Sequence, residues 1–220
     1  MMTQSCDSVV MLFYTTFHSP LPSNRYEKHM SAMPPAIQRK IMRYKRWQDR
    51  HAALLGKLLL KRAISWYQMD LDLSDLKVGE FGRPFFDSHF DFNISHSGDV
   101  VVCACSTDAR IGIDIEERIE LDIRDFRAVF MQWEFQQLLE SEGNGLFFDW
   151  WTKKEAVSKV IGKGFFLSFP DIRLEQGKAS YAGVNYFVEE VYVRDHYQTA
   201  VASSKPLDNI VVHAMDFTQP

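Results

Sequence analysis

Trp151, Glu155 and Lys159 stand four residues apart within 150–164, a stretch without proline that ends in Gly162-Lys163-Gly164. Good helix formers followed by a glycine stop predict a helix there. A spacing of four puts the three side chains on one face. As a solvated pair, Glu155 and Lys159 would contribute only about 0.2–0.5 kcal/mol. The same pair could instead offer a carboxylate to a metal ion and an ammonium to a phosphate. A second stretch, Ile111-Gly112-Ile113-Asp114-Ile115-Glu116, alternates as a strand does. Its isoleucines face one way, and Gly112, Asp114 and Glu116 face the other. Two carboxylates on one strand face repel unless positive charge lies between them. A half-exposed edge strand accounts for the pattern, and so does a hard divalent cation with oxygen ligands, approached closely over Gly112.

Other residues could hold anions. Ser95 and His96 fall where an alternating run, 90–95, meets the turn His96-Ser97-Gly98-Asp99, which places both at an exposed hairpin tip. Arg83 sits in the turn Gly82-Arg83-Pro84. Between Ile37 and Tyr67 the cations Arg39, Lys40, Arg43, Lys45, Arg46, Arg50, Lys57, Lys61 and Arg62 face a single acid, Asp49. In a chain of net charge −4, such clustering means that charge is sorted over the surface. Part of it is a solvated helix face. The rest is a positive surface for phosphates, an acidic protein or nucleic acid.

These residues need elements to position them. Val9 to Tyr14 reads as a buried strand, 24–33 as a short polar helix, and 37–67 as helix in two pieces, with Leu54, Leu55, Leu58, Leu59, Ala63, Ile64 and Tyr67 as its buried ladder. Strands are expected at 76–81, 90–95, 100–105 and 111–116, one or two helices over 122–141, the key helix over 146–161, and strands at 172–174, 184–193, 197–203 and 210–214. Val101-Val102-Cys103-Ala104-Cys105-Ser106 is echoed about a hundred residues later by Thr199-Ala200-Val201-Ala202-Ser203-Ser204. The echo points to two similar α+β halves, 1–108 and 109–220.

Composition narrows the class. With 220 residues, 46% hydrophobic and 25% charged, the chain can bury a full core. The net charge of −4 excludes a general affinity for nucleic acid or anionic membrane. Three cysteines, Cys6, Cys103 and Cys105, make no disulfide framework, and the last two read as small core residues. The apolar run at 9–14 is too short for a signal or a membrane span, so the expectation is a cytoplasmic protein.

Taken in order, Phe92-Asn93-Ile94-Ser95-His96-Ser97-Gly98, Ile111 to Glu116, and Trp151-Thr152-Lys153-Lys154-Glu155-Ala156 with Lys159 and Gly162-Lys163-Gly164, preceded by Gly82-Arg83-Pro84, resemble the two-lobed 4'-phosphopantetheinyl transferases of the surfactin-synthetase-activator type. The resemblance covers about 34–203. It implies a pseudo-twofold α+β fold, each half a small mainly antiparallel sheet packed with helices. The implied reaction moves the phosphopantetheine arm of coenzyme A onto a serine of an apo acyl or peptidyl carrier protein and releases 3',5'-ADP. Such carriers belong to fatty-acid, polyketide or nonribosomal peptide synthases.

The resemblance also implies roles. Asp114, Glu116 and Glu155 would hold Mg2+ or Mn2+. Glu155, or water held by it, would take the serine proton, and Lys159 would neutralise or protonate the leaving phosphate. His96, counted with these two among the catalytic residues, and Ser95 would contact phosphates, while Lys40, Arg43 and Arg83 would hold the others, the 3'-phosphate included. Three positions depart from the family pattern: Arg83 replaces a lysine, Ile37 a phosphate-binding lysine, and Ala53 a hydroxyl residue. A carrier-binding surface is implied between Glu117 and Gly145, with Phe130, Met131, Trp133 and Phe135 divided between core and docking. A monomer suffices if the site lies between the halves. The competing expectation is a non-catalytic module that binds coenzyme A or a carrier.

Overall fold

The computed structural model describes residues 9–218, so Cys6 lies outside the described residues. Strand β1 (Val9–Thr16) is followed by helices α1 (Ser23–Ser31), α2 (Pro35–Met42) and α3 (Trp47–Trp66). Pro35 opens α2, where its missing N–H has no intrahelical partner to lose. The expected strand at 76–81 shortens to a ribbon of β2 (Lys77–Val78) against β3 (Pro84–Phe85). The chain leaves the ribbon at Gly79, which donates to the Arg83 carbonyl at 2.9 Å and so closes the turn carrying Phe81, Gly82 and Arg83. Strands β4 (Asp91–Ser97) and β5 (Val100–Ser106) form a hairpin closed by Gly98-Asp99. The turn is therefore shorter than expected, and His96 is a strand residue.

The second half contains β6 (Ile111–Glu117), a 3-10 segment (Ile123–Val129), α4 (Gln132–Glu140) and α5 (Gly145–Ile161). It continues with β7 (Arg173–Glu175), β8 (Lys178–Tyr181), β9 (Val184–Glu190), β10 (Tyr197–Ser203) and β11 (Asn209–Ala214). One sheet has the order β11-β1-β5-β4 and the other β6-β10-β9-β8-β7. The unit β1–α3–β4–β5 returns as β6–α5–β9–β10. In both, the last strand is central and runs antiparallel to its two neighbours. The sequence echo falls on these two central strands. After them the chain crosses back, and β11 pairs parallel with β1.

Strand alternation sets the layers. Met11, Phe13, Val101, Cys103 and Cys105 pack beneath Leu54, Leu55, Leu58 and Leu59 of α3. Val10, Leu12, Val100, Val102 and Ala104 point the other way and meet Ile111, Ile113, Ile115 and Val201 of the second sheet. The far face of that sheet, with Val188, Ala200 and Ala202, receives Ala156, Val157 and Val160 of α5. The result is helix, sheet, sheet and helix in succession. Burial of each such aliphatic side chain contributes about 1.5–3 kcal/mol. Both described cysteines are free and buried in this core.

Candidate active site

The two sheets meet edge to edge at β4 and β6, and side chains join them. Alternate residues of β4 accept from backbone N–H groups of β6: Asp91 from Ile111 at 2.7 Å, Asn93 from Ile113 at 3.1 Å, and Ser97 from Glu117 at 3.1 Å. On the same face Ser95 donates to Asp114 Oδ1 at 2.9 Å, and Ser97 donates to Glu116 Oε2 at 2.8 Å. The strict polar alternation of 91, 93, 95 and 97 therefore has a structural cause. It satisfies a strand edge that would otherwise leave buried donors unpaired.

Helix α5 closes on this seam. A Cβ at Gly112 would overlap the carbonyl oxygen of Ala156 and lie 2.9 Å from Val160, so only glycine lets the helix come this near. The helix ends at Gly162 in a left-handed conformation, φ 75°, with its N–H donating to the Ser158 carbonyl at 2.8 Å. The close approach delivers Lys159 to β6. Its ammonium donates to Asp114 Oδ1 at 2.6 Å, Ser95 Oγ at 2.9 Å and the Ile113 carbonyl at 3.0 Å. All three N–H bonds of the ammonium are thereby occupied. The other carboxylate oxygen of Asp114, Oδ2, is buried and has no partner. An orphaned buried carboxylate oxygen is costly and marks a place for a ligand.

The remaining acids gather nearby. Trp151, on the same helix face as Glu155, donates its indole N–H to Glu116 Oε1 at 3.2 Å. Burial, reinforced by Asp114, raises the Glu116 pKa. Burial also raises Glu155 to about 7, with Lys159 opposing and the Asp114 and Glu116 carboxylates adding to the rise. Glu155, Ser158 and Lys159 form one side of a cavity of about 350 Å3, and Phe81, Gly82, Arg83, Pro84 and Asn93 form the other.

Among the described residues no group of three or more His, Cys, Asp or Glu side chains stands in a ligating arrangement. The chemistry of the donors nevertheless suits a hard divalent cation. Asp114 has a free buried oxygen, and Glu116 and Glu155 are carboxylates whose pKa values are raised by burial, with Asp114 adding to both and Glu116 adding to that of Glu155. Lys159 supplies positive charge directly at Asp114.

The structure brings Ser95, Asp114, Glu116, Glu155 and Lys159 together, with differences from the sequence expectation. Ser95 is not exposed at a tip but buried, its hydroxyl between Lys159 and Asp114. His96, the next residue of β4, points to the opposite side and reaches solvent. Partial desolvation lowers its pKa, Asp49 and Asp114 oppose the shift, and Lys159 reinforces it. Arg83 is committed to the protein. It donates to Asp91 at 2.7 Å and to the carbonyls of Ile111 at 2.9 Å, Phe92 at 3.3 Å and Lys159. It thus ties β4, β6 and α5 together at the cavity wall. Lys40 and Arg43 are exposed at the end of α2, and Lys40 lies near Lys57 of α3, whose pKa it helps burial to lower. Ile37 is a core residue. Sequence reasoning missed Asn93, Ser97 and the indole of Trp151 as contributors, although the polar alternation along β4 was a usable signal.

Beside the site, Phe130 is core, 1% exposed, whereas Trp133 is 51% exposed. Phe135 lies under the Arg127 guanidinium, 4.9 Å from ring centroid to Cζ. This layer is fixed to α5 by a buried pair. Lys154 donates to Glu134 at 2.8 Å, and Glu134 in turn accepts from the Met131 N–H at 2.9 Å.

Comparison with known proteins places the chain in a family. Residues 19–108 match the family 4'-phosphopantetheinyl transferase, N-terminal, and residues 110–206 match the 4'-phosphopantetheinyl transferase superfamily. The chain is 35% identical over 168 residues to the 4'-phosphopantetheinyl transferase Sfp of Bacillus subtilis (strain 168), covering 71% of this chain and 73% of the relative. It is 32% identical over 204 residues to the 4'-phosphopantetheinyl transferase psf-1 of Bacillus pumilus, covering 85% and 87%. It is 37% identical over 134 residues to the 4'-phosphopantetheinyl transferase gsp of Aneurinibacillus migulanus, covering 59% and 56%.

Proposed function

The chain belongs to the 4'-phosphopantetheinyl transferase superfamily and is an enzyme of that kind, and on that premise we propose a Mg2+-dependent transfer from coenzyme A to a serine of an apo acyl or peptidyl carrier protein. The serine oxygen forms a bond to the phosphorus that bears the pantetheine arm. The bond from that phosphorus to the bridging oxygen breaks, and 3',5'-ADP departs with the electron pair. The serine proton passes to Glu155 or to a water held by it.

The observation that carries this reading is the seam itself: Asp114, buried with one oxygen unpartnered, is held at its other oxygen by Lys159, with Glu116 and Glu155 adjoining. Asp114, Glu116 and Glu155 are the residues that would hold the cation. When bound, Mg2+ supplies charge neutralisation for the diphosphate and polarises the attacked phosphorus. Lys159 shares its ammonium with the leaving phosphate by loosening one of its three present bonds. Lys40 and Arg43 contribute fixed positive charge for the outer phosphates and His96 a ring N–H, with Ser95 and Arg83 shaping the wall behind them.

In this reading the first half, 1–108, carries the phosphates of coenzyme A, and the second, 109–220, carries the metal and the carrier. The exposed Trp133 is the anchor for a carrier helix. A monomer suffices for this reading, since both edges of the seam come from one chain, and the compartment that goes with it is the cytoplasm. Among the described residues no helix is long and apolar enough to cross a membrane. The reading is tested by Asp114→Ala, Glu116→Ala and Lys159→Ala, each checked for fold by circular dichroism. Transfer from coenzyme A should fall at least about 100-fold in each. Full activity in all three would sink the assignment.

A further inference from the structure

Strands β4 and β6 belong to different sheets, and among the described residues no strand ladder joins them. Side chains therefore set how the two edges stand, and they do so at both ends of the seam. At the Asp91 end, Arg83 reaches Asp91 and the carbonyls of Ile111 and Lys159. The other end is the hairpin tip Gly98-Asp99, and a separate group of side chains holds it.

Asp99 is the centre of that group. Tyr197, the first residue of β10, donates its hydroxyl to Asp99 Oδ1 at 2.6 Å, and its oxygen accepts from the Asp99 N–H at 3.2 Å. Burial and the bond to Asp99 push the phenol up to about 12, so it stays a donor. Arg194 lies 3.4 Å from both carboxylate oxygens, and His18 closes on Oδ2. An exposed ion pair contributes little, but the Asp99 side chain is only 26% exposed and collects three donors, which makes its bonds the stronger charge-assisted kind. The tip also seats closely. A Cβ at Gly98 would stand 2.4 Å from Glu117 Oε2 and 2.5 Å from the Tyr197 hydroxyl oxygen. Tyr197 and Glu117 are register partners across β10 and β6. His18 and Asp99 come from the first half, Arg194 and Tyr197 from the second. Together they fasten the hairpin tip to the end of the strand that carries Asp114 and Glu116.

Resting on the transferase reading and its cation at Glu116, we propose that Asp99 is a positioning residue, the clasp between the halves, which acts through Ser97 on Glu116. Ser97 stands two residues before Asp99. Its oxygen accepts from the Glu117 N–H at 3.1 Å, which turns its O–H toward Glu116 Oε2 at 2.8 Å. Trp151 holds the other oxygen, Oε1, at 3.2 Å, so Ser97 supplies the second of two bonds that fix the plane of this carboxylate. With the clasp closed, Ser97 stays against β6 and Glu116 keeps one orientation. With the clasp removed, the tip is free to leave β6 and takes the Ser97 hydroxyl with it.

The metal ion is the probe. Mn2+ is titrated by electron paramagnetic resonance into the full-length enzyme with coenzyme A and no carrier, so that no turnover enters the readout. Partners one bond behind a metal ligand change affinity by about 10–100-fold. The Mn2+ dissociation constant should accordingly rise roughly 10-fold in Asp99→Ala and in Ser97→Ala. The double variant should rise no further than Ser97→Ala, because residues that act through one another are not additive. Tyr197→Phe removes only the hydroxyl and keeps the ring, so it tests the clasp with packing intact, and it should raise the constant as well. A lowered Tm with a wild-type Mn2+ constant in folded Asp99→Ala or Tyr197→Phe would show a structural tie only and overturn the proposal. Additive effects of Asp99→Ala and Ser97→Ala would overturn it too. Both results leave the transferase reading standing. Mn2+ binding that Glu116→Ala does not weaken would remove the cation from Glu116, and the clasp's role with it.

Discussion

Gly112→Ala isolates the contact on which the site depends. The added Cβ would overlap the Ala156 carbonyl oxygen and sit 2.9 Å from both Cγ2 and the backbone nitrogen of Val160. Two of these neighbours are helix backbone, which cannot rotate away as a side-chain tip can. Helix α5 must therefore back off by on the order of 1 Å, and overpacking of this kind costs about 1–3 kcal/mol. For a chain of this length each kcal/mol lowers Tm by about 2–4 °C, so the expected fall is roughly 2–12 °C. The functional loss should be larger in proportion. Retreat of α5 draws Lys159 away from Asp114, now at 2.6 Å, and separates Glu155 from the acids of β6. A misplacement near 1 Å can cost about 100-fold in rate. The assay pairs thermal unfolding with kcat/KM for carrier modification. Wild-type Tm together with wild-type kcat/KM would refute the close seating of α5 on β6.

Glu155 and Glu116 both have pKa values raised in the folded protein, Glu155 from 4.5 to about 7. The native state then binds the proton more tightly than the unfolded chain, so this contribution to stability is present below pH 4.5 and is lost as pH rises through about 7. Urea unfolding in EDTA should show wild-type stability falling across that window and Glu155→Gln falling less; identical pH slopes would contradict the assignment. The pair Lys154 and Glu134 is buried on both sides, with side chains 0% and 1% exposed. Lys154→Met leaves the Glu134 carboxylate buried without its cation, at a cost of about 3–5 kcal/mol. Adding Glu134→Leu should recover most of the lost stability in chemical denaturation, and a stable single variant would show that the pair is not a support.

Much of this arrangement is readable from residue order, because periodicity reports which side chains share a face. The alternation 111–116 and the spacing of 151, 155 and 159 place Asp114, Glu116, Glu155 and Lys159 correctly on their elements. The likeness between 101–106 and 199–204 marks the two central strands of the repeated unit. What periodicity does not report is the partner across a gap. Ser95 reads as a hairpin-tip residue because nothing in its neighbourhood of the chain announces Lys159, 64 residues away. Arg83 reads as a free cation for the same reason, since its partners Asp91, Ile111 and Lys159 come from three elements. The return of β11 to β1 is equally nonlocal, a pairing of strands about two hundred residues apart. Phe130 and Trp133 are both large and apolar in one short region, and only packing separates the buried ring from the exposed one.

The central claim is that this enzyme transfers phosphopantetheine from coenzyme A under metal control. Its most direct test is the intact mass of an apo carrier protein incubated with the enzyme, coenzyme A and Mg2+, beside the same mixture with EDTA. The expected result is a gain of one phosphopantetheine, about 340 Da, present with Mg2+ and abolished by the chelator. An unchanged carrier mass across several unrelated carriers, with coenzyme A bound but not consumed, would contradict the transfer. A full gain in EDTA would contradict the metal's part in it.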